Sequence, residues 1–472
     1  MRNLIGRGRE QKRLMKHFTS NKAEFIALFG RRRVGKTFLV KSLFEAKFYF
    51  YATGIQNGDT QTQISNFNNE IVNYGGAKIK PASNWSEAFS NLYLLIENNS
   101  TESKKVIFLD EISWMGMSNS GFISALDFFW NRWISSRDDV MLIICGSATS
   151  WIMDNIVNDT GGLHNRLTDH IQLDPFSLNE CEEFLKDKSI SMPRYQLLEL
   201  YMIFGGVPYY LDFIEADRSL AQNVDRLYFE KDAPLKKEYD NLFRALFKNA
   251  ENYIKVIEVL ATKRKGMSRE EISVASKQKS GGTLSKIIND LISCGFVEEY
   301  LAFGKRKRDC LYRLVDPFTF FHLTFSDMKK SFAENFWLHY STTPAHSAWS
   351  GYAFELACLL HLTQIKNALG ISGVLTHASS WRSSLSSPGT QIDLVLDRSD
   401  RLVHLCEMKF TSTEYTVSKA YGDELRRKKA VFLAETNTKK AVHTTLVTTY
   451  GLMQNEYSAE VLFQLTMNDL FI

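Results

Sequence analysis

The run Phe25-Ile-Ala-Leu-Phe-Gly-Arg-Arg-Arg-Val-Gly-Lys-Thr37 constrains this chain more than any other stretch, because it sets a GxxxxGKT pattern directly between an apolar strand and the helical run Phe38 to Leu43. Gly30 and Gly35 let the backbone bend so that successive N–H groups and a helix N-terminus converge on an anion. Lys36 then reaches the β and γ phosphates of a nucleotide, and the Thr37 hydroxyl meets Mg²⁺. The predicted cradle comprises Gly30, Arg31, Arg32, Arg33, Val34, Gly35, Lys36, Thr37 and Phe38.

A second buried strand, Lys104-Lys-Val-Ile-Phe-Leu-Asp-Glu111, ends in two carboxylates at its C-terminal end, where open α/β sheets place their ligands. Asp110 suits a metal ion and Glu111 suits the orientation and deprotonation of an attacking water, the division of labour of NTP hydrolysis. A third strand, Val140 to Cys145, runs into Gly146-Ser-Ala-Thr149, so Ser147 or Thr149 is placed to sense the γ-phosphate. Arg166, ahead of a fifth strand, is a candidate for neutralising transition-state charge.

At 472 residues the chain exceeds one hydrophobic core and predicts about two to four domains. It is 44% hydrophobic and 23% charged, with no apolar run of the roughly 18 residues that a membrane helix needs. The N-terminus lacks the apolar core of a secretory signal, and the six cysteines show no CxxC spacing, so a cytoplasmic protein without membrane contact is expected. A formal charge of +4 predicts that any nucleic-acid contact comes from local clusters.

The order of these motifs resembles the AAA+ and STAND branch of P-loop ATPases, in particular the prokaryotic ATPase family whose phosphate loop reads GxRRxGKT. Ile5-Gly-Arg-Gly-Arg-Glu10, Gly146-Ser-Ala148 and Gly205-Gly-Val-Pro-Tyr-Tyr210 carry the likeness further. The resemblance implies ATP and Mg²⁺ as cofactors, an adenine pocket near Gly6 to Glu10, and a helical lid over roughly residues 177 to 240 with Pro208 at its start. It leaves oligomeric state open, because no clear arginine finger stands out.

Beyond Asn252 the pattern changes to three helical stretches and two strands. Ser268-Arg-Glu-Glu271 is a capping box, and Leu284, Ile287, Ile288, Leu291 and Ile292 form one apolar face of a further helix. Phe296 to Phe303 and Leu311 to Val315 read as a hairpin with Gly304-Lys-Arg-Lys-Arg-Asp309 at its tip. This looks like a winged helix, a fold that lays a helix in a DNA groove and the hairpin tip on phosphates. The tip and Lys263-Arg-Lys265 supply the charge for such docking.

The C-terminal part carries Glu355 on an amphipathic helix, a short strand at Ile371 to Leu375, a serine-rich loop, and a hairpin of Gln391 to Asp397 with Arg401 to Phe410. Strand alternation sends Glu407 and Lys409 to one face, with Asp393 on the partner strand. The set Asp393, Glu407-x-Lys409 resembles the PD-(D/E)xK nuclease superfamily. That likeness implies Mg²⁺ or Mn²⁺ held by Asp393, Glu407 and a backbone carbonyl, added charge from Glu355 through water, and Lys409 activating the attacking water.

The predicted architecture is therefore α/β: a P-loop NTPase parallel sheet with helical lid (1–245), a winged helix (246–316), a helical connector (317–345) and a restriction-endonuclease-like α/β domain (346–472). The metal ligands expected are Thr37 and Asp110 at one end and Asp393 and Glu407 at the other. The catalytic set is Lys36, Glu111, Arg166, Glu355, Asp393, Glu407 and Lys409. The function expected is ATP hydrolysis coupled to metal-dependent cleavage of nucleic acid, DNA foremost. Two readings compete with it: a STAND-like nucleotide-gated switch that binds a protein partner through an inert C-terminal fold, and a nucleotide-gated transcription regulator using the wing.

Overall fold

The computed structural model describes residues 3–98, 104–158, 161–163, 165–305, 309–326, 335–383, 385 and 389–472. The chain divides into two compact units, Met1–Asp174 with Ser293–Gly295, and the remainder of Pro175–Ile472. Arg306, Lys307 and Arg308 of the basic tip lie outside the described residues.

In the first unit, β1 (Glu24–Phe29), β2 (Phe48–Thr53), β3 (Lys105–Asp110), β4 (Val140–Gly146) and β5 (Asp169–Gln172) form one sheet in the order β2-β3-β4-β1-β5. Every pairing is parallel. All residues of β1, β3 and β4 are buried, as the continuous apolar runs demand of strands covered on both faces. Ile26 and Leu28 face Leu14, Leu39, Val40 and Phe44 of two helices, whereas Phe25, Ala27 and Phe29 face an aromatic layer that includes Phe67, Trp85, Phe89 and Phe122. The carboxyl ends of β1, β3 and β4 consequently lie side by side, which brings the phosphate-loop residues to the acids of β3.

The second unit begins with the helices Leu178–Asp187, Arg194–Phe204 and Pro208–Leu211, so the segment expected as a lid falls within it. Beyond the helical segments Leu220–Val224, Asp225–Phe229 and Glu238–Leu246 come the helices Ala250–Thr262, Arg269–Ser276 and Gly282–Ser293, then the antiparallel pair β6 (Val297–Tyr300) and β7 (Leu311–Leu314). Ser268 and Glu271 cap the middle helix reciprocally, as their spacing predicts. The aromatic helix Pro317–Phe325 is core: Phe318, Phe321 and Phe325 are fully buried, and Phe321 and Phe325 pack against Trp337 and Trp349.

A mixed sheet closes the unit, built from β8 (Thr376–Arg382), β9 (Gln391–Arg398), β10 (Leu402–Lys409), β12 (Ala441–Thr448) and β14 (Phe463–Thr466), with β11 (Tyr415–Thr416) and β13 (Leu452–Met453) pairing separately. Its order is β14-β12-β10-β9-β8; β8, β9 and β10 meander antiparallel, and β12 and β14 add parallel. The expected strand at Ile371 to Leu375 is displaced: those residues turn after Gly370, and the serine-rich Thr376–Arg382 pairs instead. An edge strand is held by backbone hydrogen bonds, so it needs few apolar side chains, and in β8 only Trp381 is buried. Part of that edge is covered, because Ala302 bridges Ser380 and the Phe303 N–H donates to the Ser380 carbonyl at 2.7 Å.

Two buried histidines are neutral in this unit. The Leu178 N–H donates to His361 Nε2 at 3.0 Å while Nδ1 meets the Ala357 carbonyl at 2.7 Å. His404 Nε2 accepts from Arg398 at 3.1 Å, and its Nδ1 meets Thr445 Oγ1 at 2.9 Å. Burial brings each from 6.5 down to about 4, and at His404 the Arg398 charge adds to it. The unfolded chain protonates these rings first on acidification, so the stability they contribute is complete above pH 6.5 and is lost as pH falls through about 4. The melting temperature of the wild type is expected to fall more steeply between those limits than that of His404→Gln; parallel curves would remove His404 from this account.

Candidate functional site

At the end of β1 the chain turns at Gly30, whose φ of +146° suits glycine and where an added Cβ would stand 2.3 Å from the Leu173 carbonyl oxygen. Gly35, at φ +91°, leads into the helix Lys36–Phe44. Lys36 is buried, and its Nζ donates to the carbonyls of Gly30 and Arg31, both at 2.9 Å, so the ammonium stands inside the curl of the loop. Arg31 and Val34 are buried, Arg32 and Arg33 half-buried, and Phe38 faces outward. The buried Arg7, which sequence reasoning missed as an individual residue, donates to the Val34 carbonyl at 3.1 Å and braces the loop from the N-terminal segment.

Opposite the loop, Thr37 Oγ1 donates to Asp110 Oδ2 at 2.7 Å, so the two side chains expected on Mg²⁺ already meet. Their oxygens fit a hard cation, with the Thr37 hydroxyl and Asp110 as the residues that would hold it. Glu111 takes the left-handed conformation, φ 48° and ψ 47°, a strain of roughly 1–3 kcal/mol for a residue with a side chain. That twist aims its carboxylate at Ser147, whose hydroxyl and N–H donate to Oε2 at 2.9 and 3.2 Å. Ser147, not Thr149, is thus the residue of the third strand's turn that reaches Glu111. Arg166 is not brought to this end: the next residues pair with the start of β1, Thr168 N–H donating to the Phe25 carbonyl at 2.8 Å. In a parallel sheet that start lies about four strand residues, roughly 13 Å, from the phosphate loop.

In the second unit the antiparallel ladder ends at the pair Cys406 and Leu394; Glu407 and Asp393 are the next residues of the two strands, and Asp393 is near enough to act on the charge of Glu407. Gln391 Nε2 donates to Asp393 Oδ1 at 3.1 Å. Lys409 lies 4.6 Å from the centre of the Tyr421 ring, whose hydroxyl donates to Glu407 Oε2 at 3.4 Å. Glu355 completes the group from the helix Pro344–Leu360. Its burial, with Asp393 and Glu407 nearby, raises its carboxyl to about 8, well above the ordinary carboxylate range.

Lys428, on the helix Lys419–Thr436, escaped the sequence reading. Its Nζ donates to both oxygens of Glu407 at 2.8 Å. Burial pushes Glu407 up and Lys428 counters part of that rise; burial pulls Lys428 down, but Glu407 outweighs it and the amine ends above its ordinary value. The available signal was a cation within the stripe Tyr421, Leu425, Lys428 and Phe432, which follows helical spacing. Among the described residues no three His, Cys, Asp or Glu side chains gather as a metal-binding group. Asp393 and Glu407 nevertheless offer the all-oxygen donors that suit Mg²⁺ or Mn²⁺, and Lys428 supplies positive charge where such an ion would act.

Residues 4–214 match the family model described as an ATPase domain predominantly from Archaea. With the geometry of Lys36, Thr37, Asp110 and Glu111, the match identifies a P-loop ATPase domain over those residues and supports ATP hydrolysis by it. An uncharacterized protein of Methanocaldococcus jannaschii is 22% identical over 434 residues, 91% of this chain and 92% of that one. Among solved structures, a Walker-type ATPase of Pyrococcus abyssi covers 68% of this chain and 96% of its own at 16% identity and TM-score 0.49. The ORC2 protein of Aeropyrum pernix, solved as ADPNP and ADP complexes, covers 70% of this chain and 96% of its own at 16% identity and TM-score 0.43. Among the described residues no helix is long and apolar enough to cross a membrane.

Lys36→Ala is expected to abolish ATP binding measured by calorimetry, and Glu111→Gln to bind ATP while its turnover falls about 10²-fold or more. Full turnover in Glu111→Gln would dismiss Glu111 as the base. Lys428→Met should destabilise the second unit by ~3–5 kcal/mol through an unpaired buried carboxylate. Added Mn²⁺ should recover more stability in that variant than in the wild type; equal responses in thermal melts would count against a metal on Glu407.

Proposed function

We propose that this chain couples its ATPase to cleavage of nucleic acid, DNA foremost, at a metal-dependent carboxylate and lysine site in the second unit. The observation that carries the reading is that Asp393 of β9 lies close enough to Glu407 of β10 to act on its charge, with Lys409 two residues further along β10 on the face of Glu407. The strand order supports it: a meander of three antiparallel strands, a helix, and a fourth strand parallel to the third is the arrangement of the PD-(D/E)xK fold that the residue pattern resembles. The three helices and hairpin between 250 and 314 are consistent with a winged helix that presents positive charge to phosphates.

In this reading Asp393 and Glu407 would hold Mg²⁺ or Mn²⁺, which would supply Lewis-acid activation and charge neutralisation when bound. Lys409 orients the attacking water and takes up negative charge developing on the phosphorus oxygens. Tyr421 keeps Lys409 and Glu407 in register through its ring and its hydroxyl. Nucleotide turnover at Glu111 is the step that would reset the second unit on its substrate.

Purified protein with Mg²⁺ or Mn²⁺ is expected to nick plasmid DNA, and Asp393→Ala or Lys409→Ala to lower the rate at least about 10²-fold. Cleavage that persists in both variants, or no cleavage by the wild type with either metal, would favour the nucleotide-gated binder in which Lys428 keeps Glu407 inert.

A further inference from the structure

A cavity of about 670 Å³ in the second unit joins two modules that the sequence treats separately. Glu355 and Asp393 line it from the C-terminal part, and Lys263, Arg264 and Lys265 line it from the turn ahead of the capped helix Arg269–Ser276. Arg313 and Arg382 add two further guanidinium groups to the same wall. Glu271 also lines the cavity and pairs with Lys263, and Arg313 pairs with Glu298, so the excess positive charge of this wall comes from Arg264, Lys265 and Arg382; facing Glu355 and Asp393, it has the pattern of a site for a phosphodiester, in which cations meet the phosphates and acids meet a metal or a proton.

The basic turn is built into this position. Met267 exchanges both backbone hydrogen bonds with Tyr312 of β7, at 2.9 Å each, so the turn is an extension of the hairpin. The Tyr352 hydroxyl, from the helix that bears Glu355, donates to the Arg264 carbonyl at 2.8 Å, and the Tyr300 hydroxyl donates to the Lys265 carbonyl. Gly266 has φ +80°, and a Cβ there would stand 2.9 Å from both the Tyr300 hydroxyl and the Tyr312 carbonyl, so the close wrapping needs glycine. The Arg264 guanidinium lies 5.0 Å from the Tyr352 ring centre and 5.8 Å from that of Phe320. Stacking restricts its rotamers before any ligand arrives, and Arg264 is close enough to Glu355 to bear on its charge.

We propose that the Lys263–Gly266 turn is the phosphate-binding wall of the carboxylate site, with Arg264 positioning the substrate by holding a phosphate next to the one attacked. This rests on the nuclease reading and names the group that recognises its substrate. The basic module and the acids then form one composite site, so the turn's cations act at the reacting phosphate and not at a remote DNA surface.

The full-length protein with fluorescent single-stranded and duplex DNA, titrated by anisotropy over a salt series, tests it. Arg264→Ala is expected to weaken binding about tenfold or more and to reduce the slope of log affinity against log salt by about 1. Arg264→Lys should keep the slope and recover part of the affinity. Tyr352→Phe, which retains every charge and removes the tether to the Arg264 carbonyl, should also weaken binding. In cleavage assays Arg264→Ala should raise KM more than it lowers kcat, whereas Lys409→Ala should lose kcat and retain binding. Unchanged affinity and slope in Arg264→Ala, beside a cleavage-dead Lys409→Ala, would overturn the proposal and leave the nuclease reading standing. A wild type that neither binds nor cuts either DNA would overturn both.

Discussion

The ion pair of Lys428 with Glu407 is the interaction on which the second unit's site depends. Glu407 is 3% exposed, at the end of a strand with neighbours on both sides, and a lone charge there would be costly. Lys428 meets both oxygens, holds the helix Lys419–Thr436 on the face of β10, and leaves Asp393 and Lys409 arranged around the paired acid. The contact that makes a buried carboxylate tolerable therefore also fixes the geometry of the site. Glu355, buried beside Asp393 and Glu407, has its carboxyl pushed well above the ordinary range.

The first unit handles its buried acid differently. Asp110 is 3% exposed at the end of β3, and it accepts a neutral donor, the Thr37 hydroxyl, while Lys36 is held on the loop carbonyls of Gly30 and Arg31. Carboxylate and ammonium are thus both satisfied without being paired to each other. That separation suits a site in which a nucleotide's phosphates and a metal ion are to enter between cation and anion. Glu111 stands outside that exchange, turned by its left-handed backbone toward Ser147.

Within the second unit, modules that look independent along the chain share structure. The hairpin β6–β7 covers part of the β8 edge through Ala302 and Phe303, and Phe303 packs on Phe432, the residue that also meets Trp381. Tyr352 reaches from the helix of Glu355 to the backbone of Arg264. Such links carry both hydrogen bonding and apolar packing, which is why the helices, hairpin and mixed sheet form one compact unit.

The local patterns were legible because each depends on neighbours in sequence. GxxxxGKT needs only a strand before it and a helix after it, the capping box from Ser268 to Glu271 spans four residues, and strand alternation alone puts Glu407 with Lys409. The serine-rich β8 was missed because an edge strand's backbone bonding leaves little trace in side-chain polarity. Arg7 and Lys428 were undervalued because their contacts are with residues distant in the chain, Val34 and Glu407. Arg166 pointed the other way, since its nearness to a strand said nothing of which end of the sheet it would occupy. The sequence by itself determined which groups can bind phosphate and metal, since composition and short-range spacing set the chemistry. Only the tertiary structure decided which charges meet, because burial and pairing are properties of the packed chain.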